Sequence, residues 1–139
     1  MADNERPDHG PTTGLAPYLM VRDKRAAEAL EFYKEAFGAD ERLRSPAQDG
    51  ERLMHAHILV NGASILLCDE FPEFGHKVGA PEGVTIHLQV DDADAWWRRA
   101  KDAGATVSME IADMFWGDRY GMLRDPFGFS WSIGSTNKT

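Results

Sequence analysis

Two stretches of the chain repeat one local pattern, and this repeat limits the possible folds more than any other feature. LMVRDKRAAEALEFYKEAFGA begins at Leu19, and LQVDDADAWWRRAKDAGA begins at Leu88. Each stretch starts as an apolar strand, breaks at an Asp into a pattern with helical spacing, and stops at a Gly-Ala pair. The predicted strands and helices are residues 15–21, 25–37, 84–90 and 93–103. The chain is therefore predicted to contain one supersecondary unit twice.

Each predicted helix is followed by three predicted strands. The first set contains a strong hairpin signal, because the Asn61-Gly62 pair tolerates the positive φ values that a two-residue turn requires. In the second set, the turn DPFG separates the last two strands. These strands are predicted at residues 41–44, 52–60, 63–68, 106–110, 120–124 and 129–134.

The repeat predicts an α+β fold of tandem βαβββ modules. The modules are assigned to residues 15–70 and 84–134, within a single domain of residues 15–139. Residues 71–83 are rich in Pro, Gly and charge and are interpreted as a linker. Residues 1–14 are interpreted as a flexible tail.

The charge balance limits the possible partners. The chain has 139 residues, with 15 Lys and Arg against 23 Asp and Glu, which gives a formal net charge of −8. Because an acidic surface repels phosphate backbones and anionic lipid headgroups, we expect no nucleic acid and no membrane partner. The single cysteine, Cys68, excludes an internal disulfide and fits a cytoplasmic location.

Several motifs resemble those of a known superfamily. The order of elements, the helix end FYKEAFGA and the closing RDPFGFSW resemble the vicinal oxygen chelate superfamily, which includes glyoxalase I, bleomycin-resistance proteins and extradiol dioxygenases. APYLMV, MHAHILVNGASILLCDE, VTIHLQVDD and FWGDRYGMLRDPFG are most similar to its PhnB-like branch. Over about residues 14–134, the resemblance implies two curved mixed sheets around a cavity, and it implies a homodimer.

The resemblance also locates a possible metal site. Metal-dependent members carry His, Gln or Glu at four positions, which fall here on Ala16, Leu66, Thr85 and Ser132. None of these side chains has an imidazole or a carboxylate, so we expect the family's metal site to be absent and no cofactor to be needed. A shift of the alignment by two residues would bring His87 to the third position, but the other three positions would still lack a metal-binding side chain.

Three histidines lie on predicted strands. His55 and His57 alternate on one strand and share a face, and His87 shares a face with Thr85 and Gln89. If these faces converge, the three imidazoles could bind a transition metal. The favoured alternative is that they are polar side chains that line a pocket. His9 and His76 lie in the tail and the linker and are given no role.

The segment MFWGDRY, from Met114, is an aromatic patch in a predicted loop. Trp116 beside Arg119 would suit a flat or anionic small molecule, by stacking and charge-assisted hydrogen bonds. Alternatively, Asp118 forms a structural ion pair with Arg119 or Arg124.

The second predicted helix carries two adjacent tryptophans, of which only one can face the sheet. Trp96 lies on a stripe with Ala100 and Ala103 and is predicted to face the sheet. Trp97 is then predicted to lie at an oligomer contact.

The sequence favours a metal-independent protein that binds a small aromatic or cationic molecule, with sequestration as a further role. The predicted ligand-binding residues are His55, His57, Thr85, His87, Trp116, Arg119 and Ser132. One alternative is a metal-dependent lyase, isomerase or dioxygenase with a rearranged His site. Another is a metal-free enzyme that uses Glu110 or a His as acid or base. Cys68 is interpreted as a buried structural residue, because Asp69 and Glu70 would raise the pKa of its thiol.

Overall fold

The computed structural model describes residues 7–137. The chain forms two compact units. The first contains the residues up to Lys34 together with Gly38–Val78, and the second contains Glu35–Phe37 together with the residues from Gly79 onward.

The first unit contains one mixed sheet of four strands. Its elements are β1 (Tyr18–Val21), α1 (Ala26–Phe37, whose last residues group with the second unit), β2 (Asp40–Pro46), β3 (Leu53–Val60) and β4 (Ala63–Asp69). The sheet order is β1-β4-β3-β2. β1 runs parallel to β4, while the β2–β3 and β3–β4 pairs are antiparallel.

The second unit repeats this arrangement. Its elements are β5 (Thr85–Gln89), α2 (Ala93–Ala103), β6 (Thr106–Asp113), β7 (Asp118–Arg124) and β8 (Ser130–Thr136). The sheet order is β5-β8-β7-β6, and β5 runs parallel to β8. The predicted α+β class and the tandem βαβββ order are therefore confirmed.

Strand boundaries differ most at the aromatic patch. β6 continues to Asp113 and β7 begins at Asp118, so the predicted loop is reduced to a tight turn of residues 114–117. The N–H of Met114 donates to the Asp118 carbonyl, and the N–H of Gly117 donates to the Met114 carbonyl. The apolar side chains of this turn did not prevent the hairpin from closing. Phe115 is almost fully exposed there.

The N-terminus of α1 is capped by a residue far away in the sequence. Arg25 precedes the helix and makes no side-chain capping bond. Instead, the buried carboxylate of Asp69, at the end of β4, accepts from the N–H of Ala26 at 2.9 Å and from the N–H of Leu53 at 2.7 Å. One side chain therefore joins the starts of α1 and β3 to the end of β4. In α2, by contrast, Asp92 caps its own helix by accepting from the Ala95 N–H at 3.1 Å.

The structure reverses the predicted roles of the two tryptophans. Trp97 is buried together with Ala93 and Ala100, while Trp96 is only half-buried. Both stripes have helical spacing, so the choice depends on the sheet. Gly121 on β7 leaves room for the Trp97 ring, since a Cβ added there would lie 2.6 Å from Cζ3. The prediction that Trp96 faces the sheet and Trp97 an oligomer contact is therefore wrong.

The Asp69→Asn variant tests the shared cap. An amide group would set its NH2 against one of the two backbone N–H donors, so we expect the free energy of unfolding to fall by about 1–3 kcal/mol. Urea denaturation measures this change. The exposed Asp102 offers a matched control, and Asp102→Asn should change the free energy by less than about 0.5 kcal/mol. Equal effects of the two substitutions would contradict the assigned role of Asp69.

The Gly121→Ala variant tests the packing of Trp97. The new methyl group would lie 2.7 Å from Cη2 of the indole and 2.9 Å from the Cα of Ile111, a backbone atom that cannot move aside cheaply. We expect a loss of about 1–3 kcal/mol in stability, measured by the same denaturation. Gly79→Ala is the control, because nothing lies within 4 Å of that position. A neutral Gly121→Ala would show that the indole is loosely packed.

Candidate functional site

A cavity of about 840 Å³ lies entirely within the first unit. Most of the apolar part of its wall is aromatic or sulfur-containing. These side chains are Tyr18, Met20, Met54, Cys68, Phe71 and Phe74. Such a wall favours an organic guest over water, because apolar surface is transferred out of water when the guest binds.

The strands place these side chains by simple alternation, with one exception. On β1, Leu19 and Val21 are buried, so Tyr18 and Met20 point to the other face of the sheet. Met20 pairs with Cys68 on β4. On β3 the register shifts, because Ser45 pairs with His55 and Pro46 with Leu53, so that Met54 is skipped.

This bulge explains how Met54 reaches the cavity. Leu53 is buried and Met54 is exposed and lines the cavity, although strict alternation with His55 would place Met54 on the opposite face. Bulges commonly turn a side chain in this way.

Arg52 holds the charged side of the cavity together. Its guanidinium donates to Asp49 Oδ2 at 2.6 Å and to the two carboxylate oxygens of Glu73 at 3.0 and 2.6 Å. It also lies 4.3 Å from the centroid of the Phe71 ring. Because Glu73 and Phe71 belong to the segment after β4, Arg52 fastens this segment beside the turn that contains Asp49.

The segment after β4 has little regular structure of its own. It contains one short 3-10 turn, Pro72–Phe74, and an isolated bridge between Phe71 and His76. The contacts to Arg52 therefore contribute much of what positions Phe71 against the cavity. Residues of this segment were assigned to a linker in the sequence, and His76, to which no role was given, lines the cavity.

The pKa values of the lining residues determine the charge of the cavity. Hydrogen bonds from Arg52 lower the pKa of Glu73 to about 2, and backbone and side-chain hydrogen bonds from Arg52 lower the pKa of Asp49. Burial raises the pKa of Asp69 against the effect of its two backbone donors. Glu73 and Asp49 are thus charged at neutral pH and face one cation, so the charged groups that line the cavity carry a net negative charge.

Two groups of the wall with reactive chemistry, the Cys68 thiol and the Tyr18 hydroxyl, are held protonated. Burial is the main cause that raises the pKa of the Cys68 thiol, and Asp69 adds to it. Burial and the neighbouring Cys68 raise the pKa of Tyr18 to about 12. The predicted direction for Cys68 is confirmed, with burial as the larger cause. Neither a thiolate nor a phenolate is present at neutral pH.

The two predicted histidines of the first unit lie beside the cavity rather than in its wall. His55 accepts at Nδ1 from the Tyr18 hydroxyl at 2.8 Å and donates at Nε2 to the His9 carbonyl at 2.6 Å. His57 is 3% exposed. Its Nδ1 lies 3.1 Å from the Asp8 carbonyl, and its Nε2 accepts from Ser64 Oγ at 2.9 Å. Both rings are already engaged on both nitrogens.

Five of the predicted residues belong to the second unit. The hydroxyls of Thr85 and Ser130 are 2.9 Å apart. His87 accepts at Nδ1 from Ser132 at 2.7 Å and donates at Nε2 to Gln89 at 2.7 Å. The Tyr120 ring stacks on His87 with centroids 5.8 Å apart, and the Trp116 ring lies 5.5 Å from Tyr120. Ser132, His87 and Trp116 therefore lie along one chain of polar and aromatic contacts, whereas Thr85 bonds separately to Ser130.

Arg119 takes part in a structural ion pair. Its guanidinium contacts both carboxylate oxygens of Asp94 on α2, the shortest contact being 3.1 Å, and it lies 3.5 Å from Asp113. The predicted alternative of a structural ion pair therefore applies to Arg119, but its partners are Asp94 and Asp113 rather than Asp118. Glu110, the candidate acid or base, is exposed on β6.

The residues at the family's metal positions do not fit a metal ion. Gly10 packs against the Leu66 side chain, and the hydroxyls of Thr85 and Ser132 bond to Ser130 and His87. Within residues 7–137, no group of three or more His, Cys, Asp or Glu side chains could hold a metal.

None of the seven predicted ligand-binding residues lines the cavity. The sequence did contain a signal for the residues that do. Two phenylalanines, Phe71 and Phe74, occur in a segment that is otherwise polar, and Arg52 follows Asp49 at a spacing that suits a turn. No α-helix in the described part of the chain has the length and apolar character needed to cross a membrane.

Comparisons with known proteins agree with the fold. The family model of the Glyoxalase/Bleomycin resistance protein/Dioxygenase superfamily matches residues 15–133. An uncharacterized protein of Mycobacterium bovis is 47% identical over 126 residues, which cover 86% of this chain and 81% of that protein. The solved structure of an Arabidopsis thaliana gene product is 30% identical, with a TM-score of 0.71, and the match covers 88% of this chain and 98% of that chain.

A PhnB protein from Bacillus cereus shares the fold at lower identity. Its structure, titled a putative 3-demethylubiquinone-9 3-methyltransferase, is 19% identical with a TM-score of 0.72, and the match covers 89% of this chain and all of that chain, 100%. The predicted resemblance is confirmed over nearly the whole chain. The protein belongs to the glyoxalase, bleomycin resistance protein and dioxygenase superfamily, with PhnB-like proteins among its structural neighbours.

Proposed function

We propose that this protein binds a small aromatic molecule, neutral or cationic, in the cavity of the first unit and holds it without a metal. The observation that carries the proposal is the cavity itself, whose volume of about 840 Å³ lies within the range of small-molecule sites. Its aromatic and sulfur-containing wall would contribute about 25 cal/mol for each Å² of apolar surface that the ligand and wall remove from water.

The charges around the cavity favour a cation over an anion. Asp49 and Glu73 oppose a single guanidinium, that of Arg52, and most N–H donors of this guanidinium are already engaged. An anion would meet a negative potential and compete with these carboxylates for Arg52, whereas a cation can also rest against the Tyr18 and Phe74 rings. The net charge of −8 adds a weak attraction at longer range.

Binding is favoured over catalysis by the state of the wall. The pKa values of Cys68 and Tyr18 are raised, so that neither group is a nucleophile or a base at neutral pH. A protein that binds its ligand and leaves it unchanged would sequester it. We propose this role, in the cytoplasm, for a homodimer. A monomer in sedimentation at micromolar concentration would remove the homodimer from the proposal.

A charge series tests the ligand class. We expect 2-(1-naphthyl)ethylammonium to bind more tightly than 1-naphthaleneethanol, and 1-naphthaleneacetate to bind most weakly, because the naphthyl group and the chain length are constant while the charge falls from +1 through 0 to −1. Isothermal titration calorimetry measures the three affinities. Binding should be unaffected by EDTA, and loss of binding on chelation would contradict the metal-independent proposal.

A pair of tryptophan substitutions locates the site in this series. Met54→Trp replaces the thioether side chain with a bulky indole ring that fills part of the cavity, and it should abolish binding. Met109→Trp, at an exposed position of the second unit, is the matched control and should leave binding unchanged. Equal affinities of the two variants would place the ligand elsewhere.

The Glu73→Gln variant tests the source of the cation preference. Removal of one charge at a partly exposed site should weaken binding of the naphthyl ammonium about three- to tenfold and leave the neutral alcohol unaffected. Glu28→Gln removes another carboxylate that is paired with an arginine, Arg25, outside the cavity, and it should change neither affinity. If Glu73→Gln weakened both ligands equally, the residue would act through the position of its segment and not through charge.

A further inference from the structure

The segment before the first sheet lies over side chains next to the cavity. Residues 8–10 contact Arg42, His55, His57 and Leu66, all on the strands of the first unit. The Asp8 carboxylate accepts from Arg42 Nε at 2.8 Å and lies 3.1 Å from His57 Nδ1. These contacts cover one part of the sheet face. We call this part the polar end, and it consists of His55, His57 and Ser64.

The contacts of residues 8–10 are directional rather than apolar. The carbonyls of Asp8 and His9 accept from His57 and His55, and the His9 ring lies 5.8 Å from the His55 ring. At Gly10 the backbone has a φ of +150°, and an added Cβ would lie 2.9 Å from Leu66 Cδ2. The segment thus fits its position closely through main-chain groups and through a residue without a side chain.

The covered end continues directly into the cavity. Tyr18 belongs to the wall of the cavity, and its hydroxyl donates to His55. His55 in turn bonds to the carbonyl of His9, which is part of the segment. Tyr18 therefore links the wall of the cavity to the covered His55.

We propose that residues 8–10 are a removable cover, which docks on the polar end when closed and extends the cavity to His57 and Ser64 when open. One attachment of the cover, the ion pair between Asp8 and Arg42, is weak. The side chains of Arg42 and Asp8 are 44% and 38% exposed, and ion pairs of this kind contribute little because water screens them. Opening frees two ring nitrogens, His55 Nε2 and His57 Nδ1, and a ligand with hydrogen-bonding substituents can engage them.

The cover makes the protein selective between ligand sizes. A ligand that stays within the cavity contacts both states equally and does not shift their populations. A longer ligand that reaches His57 binds only the open state, so its apparent affinity is reduced by the fraction of closed molecules. The cover itself does not depend on the proposed function, because it can be tested without any ligand.

The test measures the reactivity of His57 toward diethylpyrocarbonate, resolved by peptide mass spectrometry in the full-length protein. His76 is exposed and serves as the internal reference in the same sample. In the wild type we expect His57 to react much more slowly than His76. Asp8→Lys should raise the rate of His57 relative to His76 about tenfold, and adding Arg42→Glu should return it toward the wild-type value by restoring an opposite pair.

Two further variants make the result decisive. Asp40 is the other carboxylate bound to Arg42, at 3.2 Å, so Asp40→Lys is the matched control and should leave the rate of His57 unchanged. Gly10→Val opens the cover by steric contact with Leu66 and should raise the rate without a change of charge. The proposal is overturned if Asp8→Lys and Gly10→Val both leave His57 protected, or if Asp40→Lys exposes it equally.

Discussion

One buried carboxylate, that of Asp69, positions the parts on which the candidate site depends. It lies at the end of β4 and accepts the first free N–H of α1 and the first N–H of β3. Cys68 immediately precedes Asp69 and lies in the cavity wall, and Arg52 immediately precedes Leu53, whose N–H Asp69 binds. Asp69 therefore also restricts the positions of Cys68 and Arg52. A residue that satisfies two backbone donors from distant segments fixes these segments relative to one another, although its burial raises its own pKa.

The two units have the same topology but use their buried carboxylates differently. In the second unit, Asp125 accepts from the N–H groups of Phe127 and Phe129 and from the Trp131 indole at 2.8 Å, so it organises a turn and a core residue. The polar side chains of that sheet bond mainly to one another, as in the series Ser132, His87, Gln89 and Thr136. The two units therefore share the order and pairing of their strands, whereas the cavity of the first unit depends on its own side chains, on the bulge at Met54 and on the segment after β4.

The fold could be predicted from the sequence because it depends on local periodicity. The stops at Gly38 and Gly104 and the turn at Asn61-Gly62 act over a few residues, and both helices were predicted to within one residue. The candidate site could not be predicted, because it depends on contacts between distant segments. The bond between Arg52 and Glu73 spans 21 residues. The bulge that turns Met54 inward and the choice of Trp97 over Trp96 depend on the partner strand and on the space at Gly121.

The same reasoning explains why the histidines indicated a site that lies next to the cavity and not in it. Imidazoles on one face of a strand are conspicuous in a sequence, but here each ring nitrogen of His55 and His57 has a partner from the protein itself. A polar group that is already satisfied contributes little to a ligand unless the ligand replaces its partner at equal strength. The surface of the cavity is mainly apolar, so under the proposed function its selectivity would come from shape, ring faces and the residual charge of Asp49, Arg52 and Glu73. A site of this kind would discriminate between ligands by charge more strongly than by the pattern of their hydrogen bonds, as expected of a protein that retains a class of molecules and does not transform a single one.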